Sequence, residues 1–177
     1  MKRWSYSGQF SYLRHIGYLH SQKPAIIHND LQPSNIMLKS DGKIMLIDFG
    51  VSKKIESNMQ DTVCIGTAYY TAPEKYGSGK IDQRTDIYSV GVTLYSIITG
   101  NDPSKPPNMI YPIRKVNPAL SKGFEYIIAK CMEPNPEDRY QNTDELLFDL
   151  HNIDKTTYKL EHPSFIKKIL SVFQKKS

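Results

Sequence analysis

The sequence predicts an α+β domain that is mostly α, with about five helices, a buried central helix and one small β-hairpin. Three observations carry the prediction. Apolar residues recur at i, i+3, i+4 spacing in several separate stretches, and one Asp-Gly pair stands between two apolar runs. Of the 177 residues, 39% are apolar, with no repeating pattern, which suits one packed core.

The elements follow in order. Tyr12, Leu13, Ile16 and Leu19 place an amphipathic helix over residues 9–21, ending before Pro24. A short apolar step, Ala25-Ile26-Ile27, comes next. Ile36-Met37-Leu38 and Ile44-Met45-Leu46-Ile47 flank Ser40-Asp41-Gly42, so residues 36–47 are predicted to form the hairpin. From Val51 to Lys80 no period holds, and the stretch reads as a long loop of the kind that is usually functional inside a domain. Ile87, Val90, Leu94, Ile97 and Ile98 lie almost without charge along a helix stopped by Gly100, the expected buried centre. Residues 101–118, rich in proline, read as an irregular connection. Two further helices use Phe124, Ile127, Ile128 and Cys131, and then Leu146, Leu147 and Leu150 behind a capping-box pattern, Asn142 with Glu145.

Composition excludes several classes. Residues 1–28 hold four Lys/Arg and no carboxylate, and residues 151–177 hold six Lys against two carboxylates. The net charge of +5 therefore belongs to the ends, and the 122 residues between them are net acidic. A nucleic-acid interface would place its basic residues on a folded face among aromatics, so no nucleic-acid partner is expected. Two cysteines cannot make a disulfide framework, and Met1-Lys2-Arg3 leads into no apolar run, so a reducing, cytoplasmic location is expected. The stretch from Ile87 to Gly100 is 14 residues long and interrupted by polar side chains, too short to span a bilayer.

Chemistry concentrates around the hairpin. Asp30 and Asn35 precede its first strand and Asp48 follows its second, so the three should converge although they span 18 residues. A carboxylate beside an amide oxygen suits a hard cation such as Mg²⁺, which completes its shell with water and phosphate. A second carboxylate nearby can orient a nucleophile.

On these residues the chain resembles the protein kinases, in their carboxy-terminal lobe. His28-Asn29-Asp30-Leu31-Gln32-Pro33-Ser34-Asn35 is similar to the HRDLKxxN catalytic loop, and Asp48-Phe49-Gly50 to the DFG motif. Gly66-Thr67, Tyr70 and Ala72-Pro73-Glu74 resemble the end of an activation segment, GTxxYxAPE; Asp86 to Gly91 resembles the DxxSxG start of the central helix; Arg139 stands where the family places the partner of that glutamate. The likeness runs from about residue 9 to 152. It implies a kinase carboxy-terminal lobe over residues 1–152 and a basic amphipathic tail over 153–177. It also implies roles. Asp30 would aim the acceptor hydroxyl and take its proton, with Gln32 and Thr67 beside it. Asn35 and Asp48 would hold Mg²⁺ against the phosphates of ATP, and Met37 would floor the adenine pocket. Phe49 would pack on His28, Asp86 would hold the catalytic-loop backbone, and Glu74 would pair with Arg139. Leu31-Gln32-Pro33-Ser34 and Thr67 resemble Ser/Thr kinases, and the overall wording resembles bacterial ones, so a protein substrate with a Ser or Thr acceptor is implied.

Three departures bear on activity. Asn29 replaces the arginine that pairs a phosphorylated activation loop, so phosphate on Thr62 or Thr67 would lack its usual partner. Gln32 replaces the lysine directed at the γ-phosphate. No glycine-rich loop, VAIK-like lysine or partner glutamate precedes His28. The expectation is a truncated catalytic lobe, inactive alone and completed by a separate amino-terminal lobe or partner. The alternative is a non-catalytic, pseudokinase-like binding module. A third reading, a small-molecule phosphotransferase of the aminoglycoside or choline kinase kind, suits His28-Asn29-Asp30-Leu31 but not the Gly66 to Glu74 segment, Asp86 or Arg139. In the tail, Phe165, Ile166, Ile169, Leu170 and Phe173 with four lysines read first as a packed or frayed terminal helix, with adsorption of 163–177 to a membrane surface as the alternative.

Overall fold

Helix α2 (Gln83–Thr99) runs through the centre of the molecule, and its residues from Thr85 to Ser96 are all buried. That is the position a helix without a charged face beyond its first turn must take. The computed structural model describes residues 6–40, 44–48, 53–54, 69–77, 79–105 and 110–153. The Asp82 side chain caps the amino end of α2 by accepting the Arg84 N–H, so the helix begins four residues before the apolar pattern does. Gly100, at φ 70°, closes the other end and donates its N–H to the Ser96 carbonyl. A side chain there would meet the left-handed penalty that glycine avoids.

The remaining elements pack around this axis. α1 (Tyr6–His20) buries Tyr12, Leu13 and Ile16 and leaves Arg14, His15 and Tyr18 outside, the one-sided stripe expected from spacing. It packs on α5 (Thr143–His151) and on the hairpin strand β3 (Ile44–Leu46). Strand β2 (Ile36–Leu38) pairs antiparallel with β3 (Ile44–Leu46) in the register Ile36 to Leu46, Met37 to Met45 and Leu38 to Ile44. Ile44 and Leu46 turn into the core while Met37 and Met45 form an exposed cross-strand pair. α4 (Lys122–Cys131), capped by Ser121, lies against α2 and α5. Its buried residues include Phe124, Ile127, Ile128 and Cys131, and burial pushes the Cys131 thiol pKa up, which leaves it an inert core residue.

The structure departs from the sequence prediction in small elements. Within the stretch predicted as loop, Lys53–Lys54 form a strand, β4, pairing antiparallel with β1 (Ile26–Ile27), and Pro73–Tyr76 form a 3₁₀ turn. Two lysines carry no strand period, so only the partner strand reveals β4. Ile113–Val116 add a one-turn helix, α3, inside the proline-rich connection. The capping box of α5 is also modified: Asn142 Oδ1 accepts the Glu145 N–H, but Glu145 Oε2 accepts from Gln141 N–H, one residue earlier than the usual reciprocal bond. No helix among the described residues is long and apolar enough to cross a membrane. The tail from residue 154 lies outside the described residues.

α2 and α4 approach closely at Gly91. A Cβ there would stand 2.6 Å from Cys131 Cβ and 2.8 Å from Met132 Cγ. Cys131 Cβ cannot retreat without moving its helix. Gly91→Ala gains about 1 kcal/mol of helix propensity, but overpacking of this kind costs about 1–3 kcal/mol. The clash is expected to win, lowering the urea midpoint of unfolding; an unchanged or raised midpoint would show that the helices separate freely.

Candidate active site

The site begins where β1 ends. Residues His28 to Leu31 cross over the first turn and mid-section of α2, and the helix supplies the groups that hold them. Asp86, fully buried, accepts the His28 N–H at 2.8 Å through Oδ2 and the Asn29 N–H at 2.9 Å through Oδ1. The same Oδ2 is hydrogen-bonded to His20 Nε2 at 2.8 Å. Two turns along the same face, Thr93 Oγ1 donates to the Leu31 carbonyl at 3.0 Å. From outside, Lys75 Nζ donates to the Asn29 carbonyl at 2.8 Å. Buried backbone groups outside regular structure need partners, and here side chains provide them.

Asp30 is held next. A 3₁₀ turn, Pro33–Asn35, opens with proline at its first position and brings Asn35 back under the loop. Asn35 Nδ2 donates to both the Asp30 carbonyl and Asp30 Oδ2 at 2.9 Å, and Gln32 Nε2 donates to the same Oδ2 at 3.1 Å. The Ile47 N–H donates to the Asn35 carbonyl at 2.9 Å, extending the hairpin ladder by one step. Asp48 follows immediately, exposed and at φ 65°. Bonds thus join Asp30 to Asn35, and the ladder bond from Asn35 ends on Ile47, the residue before Asp48.

His28 is buried beside this group. Burial pushes its pKa down, against the opposing pull of the Asp86, Asp30 and Asp48 carboxylates, which favours the neutral imidazole. Asn29 and Asp48 both occupy the left-handed region, at φ 68° and 65°. Non-glycine residues hold that conformation only where surrounding contacts over-determine it, and Asn and Asp do so at the least cost.

The last piece lies at the end of the segment before α2. Glu74 and Arg139 meet in a buried bidentate pair, with both N–H···O distances 2.8 Å. Thr85 Oγ1 adds a bond to Glu74 at 2.9 Å. Ser89 Oγ donates to the Tyr70 carbonyl at 2.8 Å, and the Tyr70 hydroxyl reaches Ser96 and Asp102. Burial, with the nearby Asp102 carboxylate, pushes the Tyr70 pKa up to about 12.

The sequence-derived residues thus fall into three groups. Asp30, Gln32, Asn35 and Asp48 come together. Met37 lies two residues beyond Asn35 on the open face of the hairpin, 45% exposed. Thr62, Thr67 and Phe49 lie outside the described residues. His20, Lys75 and Thr93, which hold the loop, were not singled out by the sequence, because a lone His, Lys or Thr on a helix or turn carries no local signal of a distant backbone partner.

Comparison with known proteins agrees with this geometry. The protein kinase domain model matches residues 10–151. Serine/threonine-protein kinase PknB of Mycobacterium tuberculosis is 33% identical over 145 residues, covering 73% of this chain and 23% of the relative. A Clostridium acetobutylicum protein named as a probable serine/threonine-protein kinase is 32% identical over 160 residues, 83% of this chain and 24% of the relative. The chain spans about a quarter of the length of these curated relatives. With the protein kinase domain model covering most of its length, the chain belongs to the protein kinase domain family.

Proposed function

We propose that this chain carries the acceptor-activating and metal-holding residues of a phosphotransferase that moves the γ-phosphate of ATP to Ser or Thr hydroxyls of proteins. The observation that carries the reading is Asp30, whose Oδ2 is aimed by two side-chain amides on a loop that α2 holds through Asp86 and Thr93. The names of the bacterial relatives support the Ser/Thr class. In this reading residues 1–152 are the carboxy-terminal lobe of a kinase domain and 153–177 a basic tail.

The donor set fits Mg²⁺. Asn35 spends its N–H groups on Asp30, its Oδ1 accepts from Ser34 Oγ at 3.4 Å and keeps a second lone pair, and Asp48 offers an exposed carboxylate one residue past the Ile47 bond. Two hard oxygens suit an ion that takes the rest of its shell from water and phosphate. When bound, Mg-ATP supplies the phosphoryl group and the charge that neutralises it. Asp30 then orients the acceptor hydroxyl and takes its proton, with Gln32 and Asn35 keeping the carboxylate in one rotamer. Met37 offers an apolar surface for the adenine.

Residues 1–27 carry no glycine-rich motif and no VAIK-like lysine, so in this reading transfer uses further protein that carries both. Fused behind a kinase amino-terminal segment that carries both, the chain should phosphorylate casein on Ser or Thr. Asp30→Ala should lower that rate by about 10²–10⁴-fold. Equal rates would remove the assignment of Asp30. The unfused chain should show no melting shift in millimolar Mg-ATP; a shift that Asp48→Ala abolishes would overturn its dependence on added protein. A non-catalytic binding module is the second reading. It is favoured by Gln32, a neutral amide bonded to Asp30 where a phosphate-directed cation is usual. A folded fusion that transfers nothing supports it.

A further inference from the structure

We propose that Lys75 is a positioning residue that supplies, from the 3₁₀ turn Pro73–Tyr76, the cation missing at position 29 of the catalytic loop. The proposal rests on reading Asp30 as the acceptor-orienting carboxylate, and it adds how that carboxylate is kept in place without phosphate on the segment before it.

Lys75 is 7% exposed. Lysine is almost never buried without a partner, because a desolvated ammonium is costly unless hydrogen-bonded. Here Nζ donates to the Asn29 carbonyl at 2.8 Å. The Asn29 N–H, on the other side of the same residue, is held at 2.9 Å by Asp86 Oδ1. The residue sits at φ 68°, a conformation that needs such clamping. Its carbonyl belongs to the peptide that carries the Asp30 N–H, so fixing that carbonyl fixes the peptide plane one bond from the Asp30 Cα.

The cation itself is rigidly mounted. Lys75 lies in the 3₁₀ turn Pro73–Tyr76, with its N–H on the Ala72 carbonyl at 3.1 Å. The preceding residue, Glu74, is locked by Arg139 at 2.8 Å. Adjacent residues of one turn therefore point in two directions, Glu74 to the helical body and Lys75 to the loop. An arginine at position 29 would need a phosphate brought to it. A lysine delivered by the fold is in place at all times, so the loop should be ordered whether or not Thr62 and Thr67 are phosphorylated.

The test is amide hydrogen exchange on the full chain, followed in peptides covering residues 27–35. Lys75→Met should make these amides exchange about tenfold or more faster, in keeping with the strength of a hydrogen bond from a charged donor. α4 should be unaffected, and Lys75→Arg should restore most of the protection. Thr62→Ala should leave the exchange of these peptides unchanged. Exchange in Lys75→Met equal to the unaltered chain, or protection that appears only after phosphorylation, would overturn the proposal. Should Lys75→Met not fold, acetic anhydride labelling of the unaltered chain decides. Lys75 should react at least about tenfold more slowly than exposed Lys80 and Lys105, and equal rates would overturn the proposal. Protection without any transfer by the fused protein removes the phosphotransferase reading and leaves the anchoring standing. Transfer with unchanged exchange in Lys75→Met does the reverse.

Discussion

Arg139→Met is expected to destabilise the fold by about 3–5 kcal/mol, the usual cost of removing one partner of a buried ion pair. The geometry places it at the high end. All five guanidinium N–H groups are engaged: two on the Glu74 carboxylate, and one each on the carbonyls of Glu133, Arg84 and Pro134. The guanidinium also stacks 4.9 Å from the centre of the Tyr88 ring. Its loss leaves a carboxylate only 6% exposed without its countercharge, together with three carbonyls short of a donor. Arg139→Lys should recover little, because a point charge cannot serve five acceptor directions. Urea denaturation measures the loss, and a cycle with Glu74→Leu apportions it. The double variant should be more stable than Arg139→Met alone, since an apolar pair carries no buried charge. A single-variant cost below about 1 kcal/mol would show that water reaches Glu74.

The second large effect is expected at Asp86. Asp86→Asn preserves shape but sets an NH₂ group against at least one of the donors now facing the carboxylate. Those donors are the His28 and Asn29 N–H groups and His20 Nε2, all within 2.9 Å. Each buried donor left without an acceptor costs about 1–3 kcal/mol, so a loss of about 3 kcal/mol is expected. Asp86→Ala should cost at least as much. The signature is local as well as global: amides of residues 28–31 should lose protection before those of α4 do. Uniform loss across the molecule would mean that Asp86 stabilises α2 alone and does not organise the loop.

The large helices were legible in the sequence because each carries its own evidence. α2 lacks charge beyond its first turn, α5 announces itself with Asn142 and Glu145, and the hairpin is marked by the apolar runs on either side of Asp41-Gly42. What could not be read was whatever depends on a distant partner. β4 is two lysines that become a strand only against Ile26 and Ile27. α3 is a single turn after Pro112, in a stretch where proline dominates the pattern. The site divides in the same way. Asp30, Asn35 and Asp48 were marked by their spacing about the hairpin, and Asp86, Glu74 and Arg139 by family resemblance. Lys75 and Thr93 act on backbone carbonyls, which have no residue-type signature, so only the folded chain identifies them.

The bonds that shape the loop from His28 to Leu31 join residues 57, 58 and 62 positions apart. Closing a chain over that distance costs entropy that local structure cannot offset. As the polypeptide is made, the loop is therefore complete long before it can adopt its form, and it must wait for residues 86 to 93 to arrive and coil. The form of this loop is a late event in the history of each molecule, set by the folding of its central helix and not by the synthesis of the loop's own residues.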